Sequence, residues 1–318
     1  MRTITPSTTP SAVPEIRRHF VLTDDGVPLA VAEVGDPNAA LTVVLLHGHC
    51  LRADSWSTLL PHLVSMAGRC VRVVTYDHRG HGQSGAARAE TYTVDQLGRD
   101  LHSVLNAVAP HGPVLLAGHS MGGMTALSYA RQYPDAIGTR IIGLGLIATA
   151  AHSITDAGLG QLLRHPLAYL LHRAVNRAPD LMEFPHRLSR LVAKHVIRAT
   201  AFGQGRVNPN VTALVTAMIN ETTLATKIGF LRSLLQLNEA ATLAALAVIP
   251  TMILCGSHDH MTPFSHSEAI AAGLPGAELV RIEGAGHSVI LERTEEVASA
   301  LGALVERALN RPNLQLVS

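Results

Sequence analysis

The chain has 318 residues, of which 47% are hydrophobic and 15% charged, so it carries enough apolar material for a large buried core and lacks the composition of a disordered chain. Its 25 basic and 24 acidic side chains give a formal charge of +1, with no basic stripe for nucleic acid and no polybasic block for an anionic membrane. Three cysteines, Cys50, Cys70 and Cys255, cannot all pair and have no metal-like C-x-x-C spacing, so a reduced, cytoplasmic protein is expected.

Residues 1–16 are rich in Thr, Ser and Pro and contain no apolar h-region, which reads as a disordered leader rather than a signal peptide. His19–Thr23 and Leu29–Val34 flank the turn Asp24-Asp25-Gly26 and predict an antiparallel hairpin. Thr42–Leu46 is a near-continuous run of β-branched residues and Leu, the pattern of a strand covered on both faces. Ser55–Met66 reads as a helix, with Trp56, Leu59, Leu60 and Leu63 at helical spacing. Strand Val71–Tyr76, helix Val94–Val108 and strand Val114–Gly118 follow, then helix Met121–Tyr133, stopped by Pro134, and strand Arg140–Ile147.

This β-α-β alternation predicts an α/β fold: a mostly parallel, doubly wound sheet with helices on both faces. The alternation breaks from about Ala150 to Ala241, where Leu159–Val175, Arg187–Phe202 and Val211–Met218 read as helices separated by prolines. It resumes with strand Thr251–Cys255, helix Ser265–Leu274, strand Glu278–Ile282 and a last helix carrying the stripe Val297, Leu301, Leu304, Val305 and Leu309. Thr294 is the expected N-cap of that helix. The expected organisation is therefore a core of residues 17–149 and 242–310, a helical insertion at 150–241 and a tail at 311–318. The most apolar stretches, Ile141–Ala151 and Ala240–Cys255, fall short of the ~18 residues of a membrane span.

Gly118-His119-Ser120-Met121-Gly122-Gly123 carries the most chemistry. It is a G-x-S-x-G signature between a strand and a helix, a turn that holds a serine out of the sheet beside a base. A serine nucleophile needs a base, and the base needs an orienting acid. Asp259, in Gly256–Pro263, and His287, in Gly284–His287, each follow a predicted strand, and the order Ser120, Asp259, His287 suits this architecture. Taken singly, Asp259 reads equally well as a turn aspartate and His287 as a surface histidine; the ordered set of three favours catalysis.

Two backbone donors are expected for the oxyanion: the N–H of Met121 and that of His49, in the loop His47-Gly48-His49-Cys50. Cys50 reads as a structural thiol, and Asp77–Ser84 as a hydrogen-bonded turn bracing the His47–Cys50 loop. The 18 histidines are dispersed and form no H-E-x-x-H motif, so neither a metal nor a cofactor is implied.

Together, the His47-Gly48 loop, the Asp77–Ser84 turn and the segments 118–123, 256–263 and 284–287 resemble the α/β-hydrolase superfamily over about residues 20–310, in its serine-nucleophile branch. The Ser-Met-Gly-Gly elbow is similar to that of esterases, monoglyceride lipases and carbon–carbon bond hydrolases. His49-Cys50 departs from the aromatic and proline of many relatives. The resemblance implies Ser120, His287 and Asp259 as catalytic residues, His49 and Met121 as oxyanion donors, and residues 150–241 as a lid.

The broad apolar face of Leu159–Val175 points to a medium-chain or lipid-like ester as the small-molecule substrate, with His119, Leu163, Leu167 and Leu171 as expected contacts. Hydrolysis of a thioester, an amide or the carbon–carbon bond of a diketone, a perhydrolase-like activity, and a non-catalytic ligand receptor are the alternatives. Nothing in the sequence distinguishes a monomer from a homodimer.

Overall fold

A computed structural model of the chain describes residues 16–67, 70–158, 160–161 and 196–310. Eight strands form one sheet: β1 (Ile16–Leu22), β2 (Pro28–Val34), β3 (Leu41–Leu46), β4 (Val71–Tyr76), β5 (Val114–His119), β6 (Ile141–Ile147), β7 (Thr251–Gly256) and β8 (Glu278–Ile282), in the order β1-β2-β4-β3-β5-β6-β7-β8. The pairs β1–β2 and β2–β4 are antiparallel, and all others are parallel. Gly26, at φ 83°, makes the left-handed turn that closes the hairpin, a conformation glycine adopts without steric cost.

Because side chains alternate along a strand, the sheet feeds two separate cores. From β3, Leu41, Val43 and Leu45 join a cluster with Leu63 of α1 (Leu60–Ala67) and Leu301 and Leu304 of the C-terminal helix (Thr294–Leu309). Val44 and Leu46 face the other way, toward Leu101 and Leu105 of α2 (Val94–Val108), Leu127 of α3 (Met121–Gln132) and Ile270 of the helix Phe264–Gly273. Strands packed on both faces are largely apolar, and β3, β4, β5, β6 and β7 are buried at every position. The predicted doubly wound sheet is the one observed.

Two local expectations are corrected. The helix expected over Ser55–Met66 starts later: Ala53–Trp56 is a 3-10 turn, and α1 begins at Leu60. Pro61 explains the difference, since its missing N–H and fixed φ suit the first turn of a helix and oppose its interior. Nor does Thr294 cap the last helix: it is the first helical residue, preceded by a short helix Val289–Glu292, and its hydroxyl donates to the Ile290 carbonyl.

Among the described residues, the segment between β6 and β7 contributes helices and no strand to the sheet. Residues 196–201 are helical, and Val211–Met218 lies within α4 (Pro209–Glu221). Val215 and Met218 of α4 reach the core beside Leu51 and Trp56, while Phe230, Leu234 and Leu237 close over Met121 and Met124. Most of Leu159–Val175 and of Arg187–Phe202, with Leu163, Leu167 and Leu171, lies outside the described residues, as do residues 1–15 and 311–318. No helix among the described residues is long and apolar enough to cross a membrane.

Candidate active site

The six parallel strands end on one rim, and the loops leaving them carry Ser120, Asp259, His287 and the His47–Cys50 segment. The turn out of β5 is the tightest. Ser120 sits at φ 53°, ψ −120°, left-handed backbone that costs a non-glycine residue about 1–3 kcal/mol and persists only where its surroundings enforce it. Three contacts do so: the Ser120 N–H donates to the Ile147 carbonyl at 2.9 Å, and the Ser120 carbonyl accepts from the Gly123 N–H at 2.9 Å and the Thr149 hydroxyl at 2.7 Å.

The elbow also depends on its flanking glycines. A Cβ at Gly118 would lie 2.3 Å from the Gly122 carbonyl, and one at Gly122 would lie 2.2 Å from the Leu46 carbonyl oxygen. Neither neighbour is a movable side-chain tip, so both positions exclude a side chain.

His287 arrives from the loop after β8. Its Nε2 is 3.0 Å from Ser120 Oγ, and its Nδ1 is 2.8 Å from Asp259 Oδ2. Asp259, in the loop after β7, is held by four other donors. Its Oδ1 accepts the N–H groups of Met261 and Thr262 at 2.8 and 2.9 Å. Its Oδ2 accepts the Thr262 hydroxyl at 2.9 Å and faces the Cys255 thiol at 3.7 Å. Burial opposes ionisation of this carboxyl, but the charge and hydrogen bond of His287 and the two backbone donors outweigh it, and the net shift is downward. A carboxylate on Nδ1 places that nitrogen's proton between them and leaves Nε2 free to accept from Ser120. The three side chains that were far apart in sequence thus form one hydrogen-bonded relay.

The loop His47–Cys50 lies against Ser120: a Cβ on Gly48 would be 3.1 Å from Ser120 Cβ and 2.8 Å from His119 Nδ1. That contact puts the backbone of Gly48 beside the serine. Met121 opens α3, where N–H groups have no acceptor four residues back and point out of the helix start.

The family model for the alpha/beta hydrolase fold matches residues 42–294. The chain belongs to that family. Among curated relatives, the AB hydrolase superfamily protein YisY of Bacillus subtilis is 26% identical over 290 residues, covering 89% of this chain and 97% of its own. Monoacylglycerol lipase abhd6-A of Xenopus laevis is 23% identical over 272 residues, covering 84% and 76%. A thermophilic esterase structure from Thermogutta terrifontis superposes with a TM-score of 0.73 at 25% identity, covering 92% of this chain and 99% of that one.

In this alpha/beta hydrolase, the Asp77–Ser84 turn does brace the His47–Cys50 loop, and it does so through imidazoles. His47 Nδ1–H donates to the Gly48 carbonyl at 2.8 Å, and His47 Nε2 accepts the His78 N–H at 2.9 Å. His78 Nε2–H donates back to the His47 carbonyl at 3.1 Å, and His81 Nε2 accepts the Cys50 N–H at 3.1 Å. Burial lowers the basicity of all three rings. Only the neutral form can present an acceptor nitrogen, so the lacing and the depressed basicity agree. Asp77 completes the brace, accepting from the Ala53 N–H at 2.7 Å and the Gln83 N–H at 2.8 Å.

Other expected residues fall as follows. His49 points its Nε2–H at the Lys227 carbonyl, 3.1 Å away, and burial together with the Lys227 charge brings its pKa down to about 4. His119 is fully buried, and its Nε2–H donates to the His287 carbonyl at 2.8 Å, a strut between the elbow and the loop of His287. Burial pushes the Cys50 thiol up to about 12. At that value almost no thiolate exists at neutral pH, in keeping with a structural role.

Sequence reasoning overlooked Thr262, whose hydroxyl bridges Asp259 Oδ2 and His287 Nδ1 at 2.9 and 3.3 Å. Its position three residues after Asp259 was the available signal. Asp24, Asp25 and Asp100 lie close enough together to hold a cation, but Arg79 already occupies that space, donating to both Asp25 and Asp100.

Proposed function

We propose that the chain is a serine hydrolase that cleaves a carboxylic ester with an apolar acyl chain through an acyl-enzyme. The observation that carries this reading is the 3.0 Å approach of Ser120 Oγ to His287 Nε2, with Asp259 on the opposite nitrogen. Ser120 Oγ attacks the ester carbonyl carbon while its proton passes to His287 Nε2. Asp259 holds the imidazole tautomer and stabilises the imidazolium without taking the proton itself.

The N–H groups of Met121 and His49 are assigned to the oxyanion of the tetrahedral intermediate, where one such donor is worth about 10²–10³-fold in rate. Collapse of the intermediate transfers the proton from His287 to the leaving alcohol. Water then donates a proton to His287 as its oxygen attacks the acyl-enzyme, releasing the acid and restoring Ser120.

Two of the relatives support an ester substrate, one being named a monoacylglycerol lipase and the other an esterase. The leucine stripe of Leu159–Val175 supports an apolar acyl group. Residues 150–241 are assigned as the lid. Its described part engages both functional loops, through Lys227 and Phe230 at His49 and through residues 201–204 at the loop of His287.

The test is hydrolysis of p-nitrophenyl esters by wild type and Ser120→Ala, with fluorophosphonate labelling of the serine. We expect kcat to fall roughly 10⁴-fold or more with an unchanged thermal midpoint. We also expect kcat/KM to be higher for octanoyl than for acetyl esters. Near-wild-type turnover by Ser120→Ala refutes the nucleophile, and equal turnover of the two acyl lengths removes the acyl preference. Labelling with a burst but negligible steady-state turnover identifies a receptor instead.

A further inference from the structure

Three hydrogen bonds fix peptide groups that flank His287, and two of them lead to residues 201–203 in the segment between β6 and β7. The Ser288 N–H donates to the Ala201 carbonyl at 2.7 Å, and the His287 carbonyl accepts from His119. On the other side of His287, the Gly286 N–H donates to Glu292 Oε1 at 2.9 Å. The second oxygen of that carboxylate, Oε2, accepts the Gly203 N–H at 2.8 Å.

Here the two backbones touch directly. A Cβ at Gly286 would lie 2.3 Å from the Gly203 nitrogen, and one at Gly203 would lie 2.1 Å from the Gly284 carbonyl oxygen. Two backbone donors therefore converge from different parts of the chain with no side chain between them. A carboxylate suits the position because it offers only acceptors, whereas an amide would turn its own NH₂ against one of the donors.

We propose that Glu292 is a positioning residue for the catalytic base: its carboxylate clamps Gly286 to Gly203, fixing the peptide that enters His287 and coupling the base to the segment between β6 and β7. This rests on His287 acting as the base, as proposed above. Glu292 itself bonds to backbone N–H groups and not to the reacting atoms. Burial raises its carboxyl above the usual value, and the two N–H donors with the Arg293 and Arg198 charges offset part of that shift. Arg198 holds the far side of the same segment, donating to the carbonyls of Gly203 and Gly205 at 3.3 and 2.6 Å. Removing the carboxylate leaves two donors, Gly286 buried and Gly203 half-buried, facing each other without an acceptor, and relief comes from movement of the loop Gly284–His287.

The experiment compares full-length wild type, Glu292→Leu and Glu292→Gln on one p-nitrophenyl ester, alongside Ser120→Ala and His287→Ala. Displacement of a base by about 1 Å costs up to roughly 100-fold. We expect Glu292→Leu to lower kcat about 10–100-fold, with KM within about twofold of wild type. Fluorophosphonate labelling of Ser120 should slow by the same factor, because labelling needs the base but no ester binding. Glu292→Gln, which keeps one acceptor, should fall between.

Amide exchange at Gly286 and Gly203 should accelerate in both variants. Should Glu292→Leu fail to fold, Glu292→Gln decides, with a several-fold loss of kcat at constant KM expected. Unchanged kcat in a folded variant, even one with a lower thermal midpoint, overturns the proposal, as does a loss that appears wholly in KM. Failure of the underlying reading is separate: it appears as full activity in Ser120→Ala or His287→Ala.

Discussion

His119 offers a quantitative test of how the site is built. Its ring is fully buried between the nucleophile elbow and the loop of His287, and burial, assisted by the nearby His287, lowers its pKa from 6.5 to about 3. The unfolded chain binds a proton on this histidine below about pH 6.5, and the folded chain does not until about pH 3. The unfolded state therefore holds more protons in that window, and stability falls as the pH drops through it. Integrating the shift, His119 costs almost nothing at pH 7.5 and about 2 kcal/mol at pH 5.

Replacing the ring by glutamine retains a side-chain N–H for the His287 carbonyl and removes the titration. Urea denaturation of wild type and His119→Gln at pH 7.5 and pH 5 gives a double difference in which the other buried histidines cancel. Wild type should lose about 2 kcal/mol more than the variant between the two pH values. In thermal melts this is about 3 °C for a chain of this size, from an unfolding entropy of ~2.1 cal/mol/K per residue. Parallel loss in the two proteins would refute the reasoning, because it would mean that the folded state accommodates a charged His119.

Two other outcomes follow from buried groups. Arg79 is fully buried, donating to Asp100 through Nε at 2.6 Å and to Asp25 through Nη1 at 2.9 Å; Arg79→Met should cost about 3–5 kcal/mol in urea midpoint experiments, and a loss below about 1 kcal/mol would show that the network is dispensable. The thiols differ in accessibility, Cys70 being exposed and Cys255 buried, with Cys50 pushed up to about 12; a disulfide reagent at pH 8 should titrate one thiol in the native protein and three after denaturation. Rapid native reaction of Cys50 would contradict its assignment as structural.

Local order was open to reading in the sequence. β4, β8 and α2 begin and end where their patterns do: β4 is buried at every position, as a largely apolar strand covered on both faces is, α2 shows the stripe of a half-buried helix, and β8 at the sheet edge alternates without burying any residue fully. The elbow was equally legible, since its glycines and serine lie within one six-residue stretch, although the contacts that hold the strained serine come from Ile147 and Thr149. Where a local pattern misled, a neighbouring constraint prevailed: Pro61 delayed α1, and the short helix at Val289–Glu292 turned Thr294 from a cap into a helical residue.

Composition and periodicity thus determined the strands, the helices that cover them and the place of the serine between a strand and a helix, because each is written in the pattern of one continuous stretch of residues. The tertiary structure alone decided which distant groups would meet. His287 reaches Ser120 across 167 positions and Asp259 across 28, and Glu292 joins Gly286 to a glycine 89 positions before it. A hydrogen bond is a short-range event, so the sequence carries the partners but not their meeting. That meeting is set by packing two apolar cores on opposite faces of one sheet, which brings the strand-end loops to a common rim.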